Sequence, residues 1–209
     1  MKLDQIILAT SNAHKIEEIR AILAPSGLRL LTRRDFPGHA PDPVESGETY
    51  RCNSIIKATT WADFFKIPAL ADDSGLEVEA LGGAPGIHSA RYAPTSAERI
   101  AKLLDALRDV PAERRAARFV CCAALAWPTT RVLESKCGAR SQHCVQTLGI
   151  CTGRIAFAPA GTGGFGYDPV FLVDGCGGLT MAELPAAEKN RISHRARALA
   201  ALLANIRNV

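Results

Sequence analysis

The run Gln5-Ile6-Ile7-Leu8-Ala9-Thr10 is short, apolar and ends in Ser11-Asn12, two good helix N-caps, after which Ile16, Ile19, Ile22 and Leu23 recur at helical spacing. A strand, a tight turn and a helix within the first 25 residues commit the chain to an α/β fold. Further along, a loop rich in Pro, Gly and Asp (36–47) precedes a helical segment from about Thr49 to Phe65, which ends before Pro68. Ala69-Leu70-Ala71 then reads as a brief strand running into the turn Asp72-Asp73-Ser74-Gly75, and Gly82 to Gly86 as a loop. A helix from Ser96 buries Ile100, Leu103, Leu104 and Leu107. Strands are expected over 117–126 and 169–173, with Pro128-Thr129-Thr130 as a hairpin turn and strands with an irregular middle between Val132 and Ile155. Ser193 opens a final helix carrying Leu199, Leu202, Leu203 and Ile206. Because the elements mix without regular βαβ repetition, the expected fold is an elongated mixed sheet with flanking helices.

At 209 residues, a chain of this kind forms one domain, 1–209, of one large or two closely joined lobes, and buries about 70% of its unfolded surface without a disulfide or metal staple. Its formal charge of +4, from 25 Lys+Arg against 21 Asp+Glu, is too mild for affinity gained by coating a nucleic-acid backbone. The opening Met1 to Gln5 lacks the charged and apolar regions of an export signal, and Val120 to Trp127 is too short to span a bilayer. A cytoplasmic protein with no membrane or nucleic-acid partner is the expectation. The 7 cysteines show no paired C-x-x-C spacing and read as reduced thiols.

Four stretches are candidates for chemistry. Thr10-Ser11-Asn12-Ala13-His14-Lys15 places a strand-to-helix turn, with its backbone N–H groups, beside a lysine, an arrangement that suits phosphate; an ordinary capped helix would look the same. Asp72-Asp73-Ser74-Gly75 brings two acids to a strand end with carboxylates on different sides, so one can meet a metal while its neighbour works on water; a solvated turn has the same composition. The stretch Pro159 to Pro169 sets Phe165 and Tyr167 among glycines, which lets backbone and a ring face approach a flat ligand. Glu188-Lys189-Asn190-Arg191-Ile192-Ser193-His194-Arg195 gathers donors at the start of the last helix and suits an acceptor-rich ligand. These turns lie far apart in sequence and would have to converge in a cleft between lobes to act together.

In this order the stretches resemble the inosine triphosphatase family, the XTP/dITP diphosphatases. The likeness also includes Glu45 through Lys57, Leu81 to Ile87 and Ser89 to Tyr92, and spans about residues 5 to 207. The resemblance implies Mg²⁺-dependent hydrolysis of ITP, dITP or XTP to the monophosphate and pyrophosphate, in a homodimer. It implies that Glu45 and Asp73 hold Mg²⁺ with Asp72 close by, and that Asp73 is the general base aligning water on the α-phosphorus. Lys15, Lys57 and the backbone of residues 10–14 would neutralise phosphate, with Ser74 beside them. Phe165 would stack on the purine with Gly166 and Tyr167 shaping the wall, Asp168 and Lys189 adding polar contacts, and His194 and Arg195 donating to the 6-keto oxygen. Two rivals remain open at this point: a pyrimidine-directed diphosphatase of similar fold, and a nucleotide-binding regulator without activity.

The sequence departs from the family pattern twice. Cys52 stands where the family usually has Glu, within Thr49-Tyr50-Arg51-Cys52-Asn53-Ser54. The stretch between Trp127 and Gly149 is about ten residues longer than usual and holds Cys137, His143 and Cys144, with no usual zinc spacing; a polar surface insertion is expected.

Overall fold

The opening strand, turn and helix form where the apolar spacing puts them: β1 (Gln5–Leu8) and α1 (Ala13–Leu23), with Asn12 as N-cap accepting the Lys15 N–H. The computed structural model describes residues 3–129 and 143–206, so Cys137 and most of the expected hairpin after Pro128 lie outside the described residues. After α1 come β2 (Arg29–Leu31), α2 (Tyr50–Phe65), β3 (Ala69–Val78), α3 (Ser96–Ala106), β4 (Ala116–Ala126), β5 (Cys144–Ile155), β6 (Phe171–Val173), α4 (Ala186–Ile192) and α5 (His194–Ile206). The strands form one sheet in the order β2-β1-β3-β4-β5-β6. β1 pairs in parallel with β2 and β3, with Ile7 opposite Leu31 and Ala69, whereas β5 and β6 pair antiparallel. The mixed sheet with flanking helices is therefore as expected.

Local chemistry accounts for most boundaries. Thr49 caps α2 by accepting the Cys52 N–H, and Lys66, at φ 57°, ends it in the left-handed conformation two residues before Pro68. Thr95 and Glu98 form a reciprocal capping box at the start of α3.

Three expectations are corrected. β3 does not stop at Ala71 but runs through Asp72-Asp73-Ser74-Gly75 to Val78, so the acidic pair sits within a strand. It can do so because cations neutralise the pair there, as described below, and strand alternation sends the two carboxylates to opposite faces. Residues 186–192 form a separate helix, α4; Ser193 is extended (φ −63°, ψ 160°) and breaks it from α5, so Lys189 and Arg191 precede the last helix. Five cysteines (Cys121, Cys122, Cys144, Cys151 and Cys176) carry free thiols, but Cys52 is disulfide-bonded, against the expectation of reduced thiols throughout.

The chain divides into two compact units. Unit 1 comprises Met1–Asp73, Cys121–Gly149 and Arg195–Val209; unit 2 comprises Ser74–Val120 and Ile150–His194. Unit 1 has two apolar cores, one built on Ile6, Leu8, Ile19, Leu70, Leu125 and Leu199, the other on Ile7, Ala58, Trp61 and Ala71. Unit 2 has one, including Leu76, Leu103, Leu107, Phe119, Tyr167 and Phe171. Arg115 is 2% exposed in unit 2 and donates to the backbone carbonyls of Leu107, Val110, Ile155 and Ala156, which joins the end of α3 to the end of β5.

Candidate active site

In unit 1, α2, β3 and the loop before α2 bring three of the expected cations and acids together, Lys57, Asp73 and Glu45. Lys57 extends from α2, and its ammonium has three donors. All three are used: on Glu45 Oε1 at 2.9 Å, Asp73 Oδ1 at 2.9 Å and the Asp72 carbonyl at 2.8 Å. Asp73 also accepts from Asn53 Nδ2 at 3.3 Å, while Asn53 Oδ1 accepts the Gly47 N–H at 2.9 Å. Asn53 is fully buried and thereby ties the loop that carries Glu45 to the Asp73 carboxylate. A Cβ on Gly47 would lie 2.6 Å from the Cys52 Cβ and 2.7 Å from Asn53 Oδ1, so glycine is required for this approach.

Asp72 has a different set of partners. Its Oδ2 accepts from Arg195 Nη2 at 2.8 Å and Nε at 3.3 Å, and lies 3.1 Å from Lys15 Nζ. Arg195 Nη1 pairs with Glu18, so an alternating row Glu18, Arg195, Asp72, Lys15 runs from α1 through α5 and β3 back to α1. Thr10 is half-buried and Ser11, Asn12, Ala13 and His14 are exposed, which leaves the α1 N-terminus with Lys15 beside it on the surface.

These surroundings push the two adjacent carboxyls apart. Burial alone would raise both. At Asp72 the charges of Arg195, Lys15 and Lys57 outweigh it and hold the carboxyl well below the usual range. At Asp73 burial prevails over Lys57 and Lys15, with Glu45 adding to it, and the carboxyl is raised. Burial would lower the Lys57 ammonium, but Asp73, Asp72 and Glu45 together raise it and keep it charged. One acid locked ionised beside one with raised proton affinity is the arrangement that separates a charge-holder from a base.

Glu45 and Asp73 are hard oxygen donors whose carboxylates converge on one ammonium. Among the described residues, no three His, Cys, Asp or Glu side chains group as a metal site. Two protein carboxylates fit an ion that keeps water or substrate phosphates as its other ligands, as Mg²⁺ does.

In unit 2, the glycine-rich turn is built against its neighbours. Asp168 Oδ2 accepts the Phe165 N–H at 2.7 Å and pairs with Lys189 from α4, whose Nζ lies 5.0 Å from the Phe165 ring centroid. A Cβ on Gly164 (φ +69°) would come within 2.1 Å of Asp168 Oδ2. Gly166 (φ +65°) has open space around it, and Phe165 is half-buried. Tyr167 is buried and donates to the Ser89 carbonyl at 3.1 Å; burial raises its hydroxyl. Ser89 in turn accepts the Leu76 N–H and donates to the Gly86 carbonyl, which links Tyr167 to β3 and to the loop after Pro85. Ser74 is half-buried on β3. His194 stacks on Phe119, with ring centroids 4.8 Å apart and planes 15° apart.

The structure thus joins Glu45, Lys57 and Asp73, joins Lys15 to Asp72, and joins Phe165, Asp168 and Lys189. The Arg195 guanidinium, expected to read a base, is 1% exposed and engaged by Asp72 and Glu18. Glu18 was missed, although its i+3 spacing from Lys15 places both on one face of α1. Asn53, Ser89 and Phe119 were missed because their partners lie far away in sequence.

A model of the Ham1 family matches residues 6–205. The dITP/XTP pyrophosphatase of Geobacillus kaustophilus is 48% identical over 203 residues, covering 95% of this chain and 92% of that protein. The dITP/XTP pyrophosphatase of Streptomyces coelicolor is 45% identical, covering 98% of both. Among solved structures, a HAM1 protein from Coxiella burnetii superposes with a TM-score of 0.81 at 39% identity, covering 98% of this chain and 99% of that one. With a family model matched over nearly the whole length and relatives of this similarity, the chain belongs to the Ham1 family.

Proposed function

We propose that this protein is a nucleoside triphosphate pyrophosphohydrolase that converts ITP, dITP and XTP to the monophosphate and pyrophosphate, clearing deaminated purines from the nucleotide pool. The observation that carries the reading is the Lys57 ammonium holding Glu45 and Asp73 at 2.9 Å each, beside an Asp72 already neutralised by Arg195 and Lys15. The names of the relatives agree with it.

A triphosphate beside Glu45 and Asp73 is repelled by about 4 kcal/mol per close charge pair at an effective dielectric near 20. Glu45 and Asp73 would therefore hold Mg²⁺, which supplies positive charge to the phosphates when bound. Lys15, Lys57 and the backbone at the start of α1 take the remaining phosphate charge. Asp73, with proton affinity raised by burial, orients a water and accepts its proton as the oxygen attacks the α-phosphorus and pyrophosphate departs. Asp72 serves as the fixed anion that positions Lys15.

Base recognition is assigned to unit 2. Phe165 stacks on the purine, the Asp168–Lys189 pair holds the turn that presents it, and His194 donates to the 6-keto oxygen. ATP offers an amino donor at that position, and a donor facing a donor is rejected strongly. The whole reaction is placed in one domain, 1–209, working as a cytoplasmic homodimer; among the described residues no helix is long and apolar enough to cross a membrane.

Pyrophosphate release from ITP, XTP, GTP and ATP with Mg²⁺ tests the reading. Fast release from ITP and XTP only is expected. Equal rates on all four overturn the specificity, and orthophosphate as first product overturns the reaction; sedimentation of the purified protein checks the dimer.

A further inference from the structure

Phe119 lies on β4, is 6% exposed, and faces two rings: His194, stacked at 4.8 Å and 15°, and Phe171 of β6, tilted at 4.5 Å and 49°. We propose that Phe119 is a positioning residue that fixes the imidazole plane of His194 and through it sets the discrimination between 6-keto and 6-amino purines. This rests on the assignment of His194 to the base.

Three features carry the inference. Imidazole hydrogen bonds lie in the ring plane, so the plane decides where a donor points. The torsion that turns this ring has broad, roughly two-fold wells, so rotamer preference alone does not fix it. Helical side chains lean on the turn N-terminal to them, yet His194 is the first residue of α5 and follows an extended Ser193. The flat face stacked on its ring comes from Phe119. Phe119 is held in its turn, since β4 has β3 and β5 as neighbours in the sheet and the Phe171 ring packs on it. A residue that only filled the core would serve equally well as any apolar side chain of similar size.

The test compares Phe119→Leu with His194→Gln, using the ratio of kcat/KM for ITP to that for ATP. Phe119→Leu should lower the ratio about three- to tenfold, the size of one aromatic pair, through a raised KM for ITP with kcat nearly unchanged. His194→Gln should lower it at least as far. If His194→Gln leaves the ratio intact, the base assignment fails; if it lowers the ratio while a folded Phe119→Leu keeps the wild-type value, this inference alone fails. A readout on the wild-type protein applies whether or not the variant folds. The His194 ring protons should be displaced upfield by the Phe119 ring current in NMR spectra and stay so on addition of IMP. Undisplaced signals, or loss of the displacement with IMP, overturn the proposal.

Discussion

Arg195 on α5 grips Asp72 on β3 through two nitrogens on the same oxygen, Nη2 at 2.8 Å and Nε at 3.3 Å, with each residue 1% exposed. A buried pair of this kind contributes little compared with apolar packing, but removing one partner leaves an uncompensated charge. Arg195→Met should therefore cost about 3–5 kcal/mol in urea denaturation at pH 7, and the double variant Arg195→Met/Asp72→Asn should recover part of it. A single-variant loss below about 1 kcal/mol would show the pair to be solvated in solution.

The same pair sets a pH dependence. Burial would raise the Asp72 carboxyl, but Arg195, Lys15 and Lys57 hold it well below its usual value. Between the native and unfolded values the unfolded chain binds more protons, so stability rises with pH there. The contribution is complete above about pH 4 and is lost as pH falls further. Measured in metal-free buffer, the stability gap between the wild type and Asp72→Asn should be constant from pH 7 to 5 and narrow below about pH 4. A gap that widened on acidification would reverse the sign of the argument.

Lys57 serves three acceptors from one nitrogen, which a planar guanidinium cannot copy. Both Lys57→Met and Lys57→Arg should lower kcat for ITP by about 10²–10³, the cost of losing one preorganised donor. Rescue by arginine would mean that only the charge matters.

Asn53 is a donor to Asp73 and an acceptor from Gly47, so its two substitutions should differ. Asn53→Ala removes both bonds and loosens the Glu45 loop. Asn53→Asp keeps an acceptor for Gly47 but sets a second carboxylate against Asp73, at about 4 kcal/mol if both ionise near 4 Å. Asn53→Asp should have the lower kcat at pH 7 and regain activity relative to Asn53→Ala at lower pH. Equal kcat values across pH would remove Asn53 from the Asp73 environment.

The sequence was most informative where local chemistry decides. Asn12 caps α1 as its side chain suggested, Thr49 and Thr95 cap α2 and α3 within a residue of the expected starts, and the apolar spacing located α1, α2, α3 and β4. It misled where partners came from elsewhere in the chain. Asp72 and Asp73 look like a turn because an isolated pair of acids is poorly suited to a strand; Lys15 and Lys57, 57 and 16 residues before their partners, reverse that. Nothing near Arg195 in sequence shows that Asp72 and Glu18 engage it.

The glycine-rich turn offers an internal comparison between two residues with nearly equal backbone. Gly164 (φ +69°) and Gly166 (φ +65°) both lie in the left-handed region, so alanine at either costs about 1–2 kcal/mol of backbone strain. Only at Gly164 does the added methyl meet the ion pair, 2.1 Å from Asp168 Oδ2 and 2.9 Å from Lys189 Nζ; at Gly166 nothing lies within 4 Å. Asp168 would have to release the Phe165 N–H or Lys189, and the ring assigned to the base would lose its orientation. Gly164→Ala should therefore raise the KM for ITP about tenfold beyond Gly166→Ala, the equivalent of one charge-assisted hydrogen bond, while kcat changes little. If the two variants gave the same KM, the Asp168–Lys189 pair would be a structural clamp with no part in holding Phe165 for the purine.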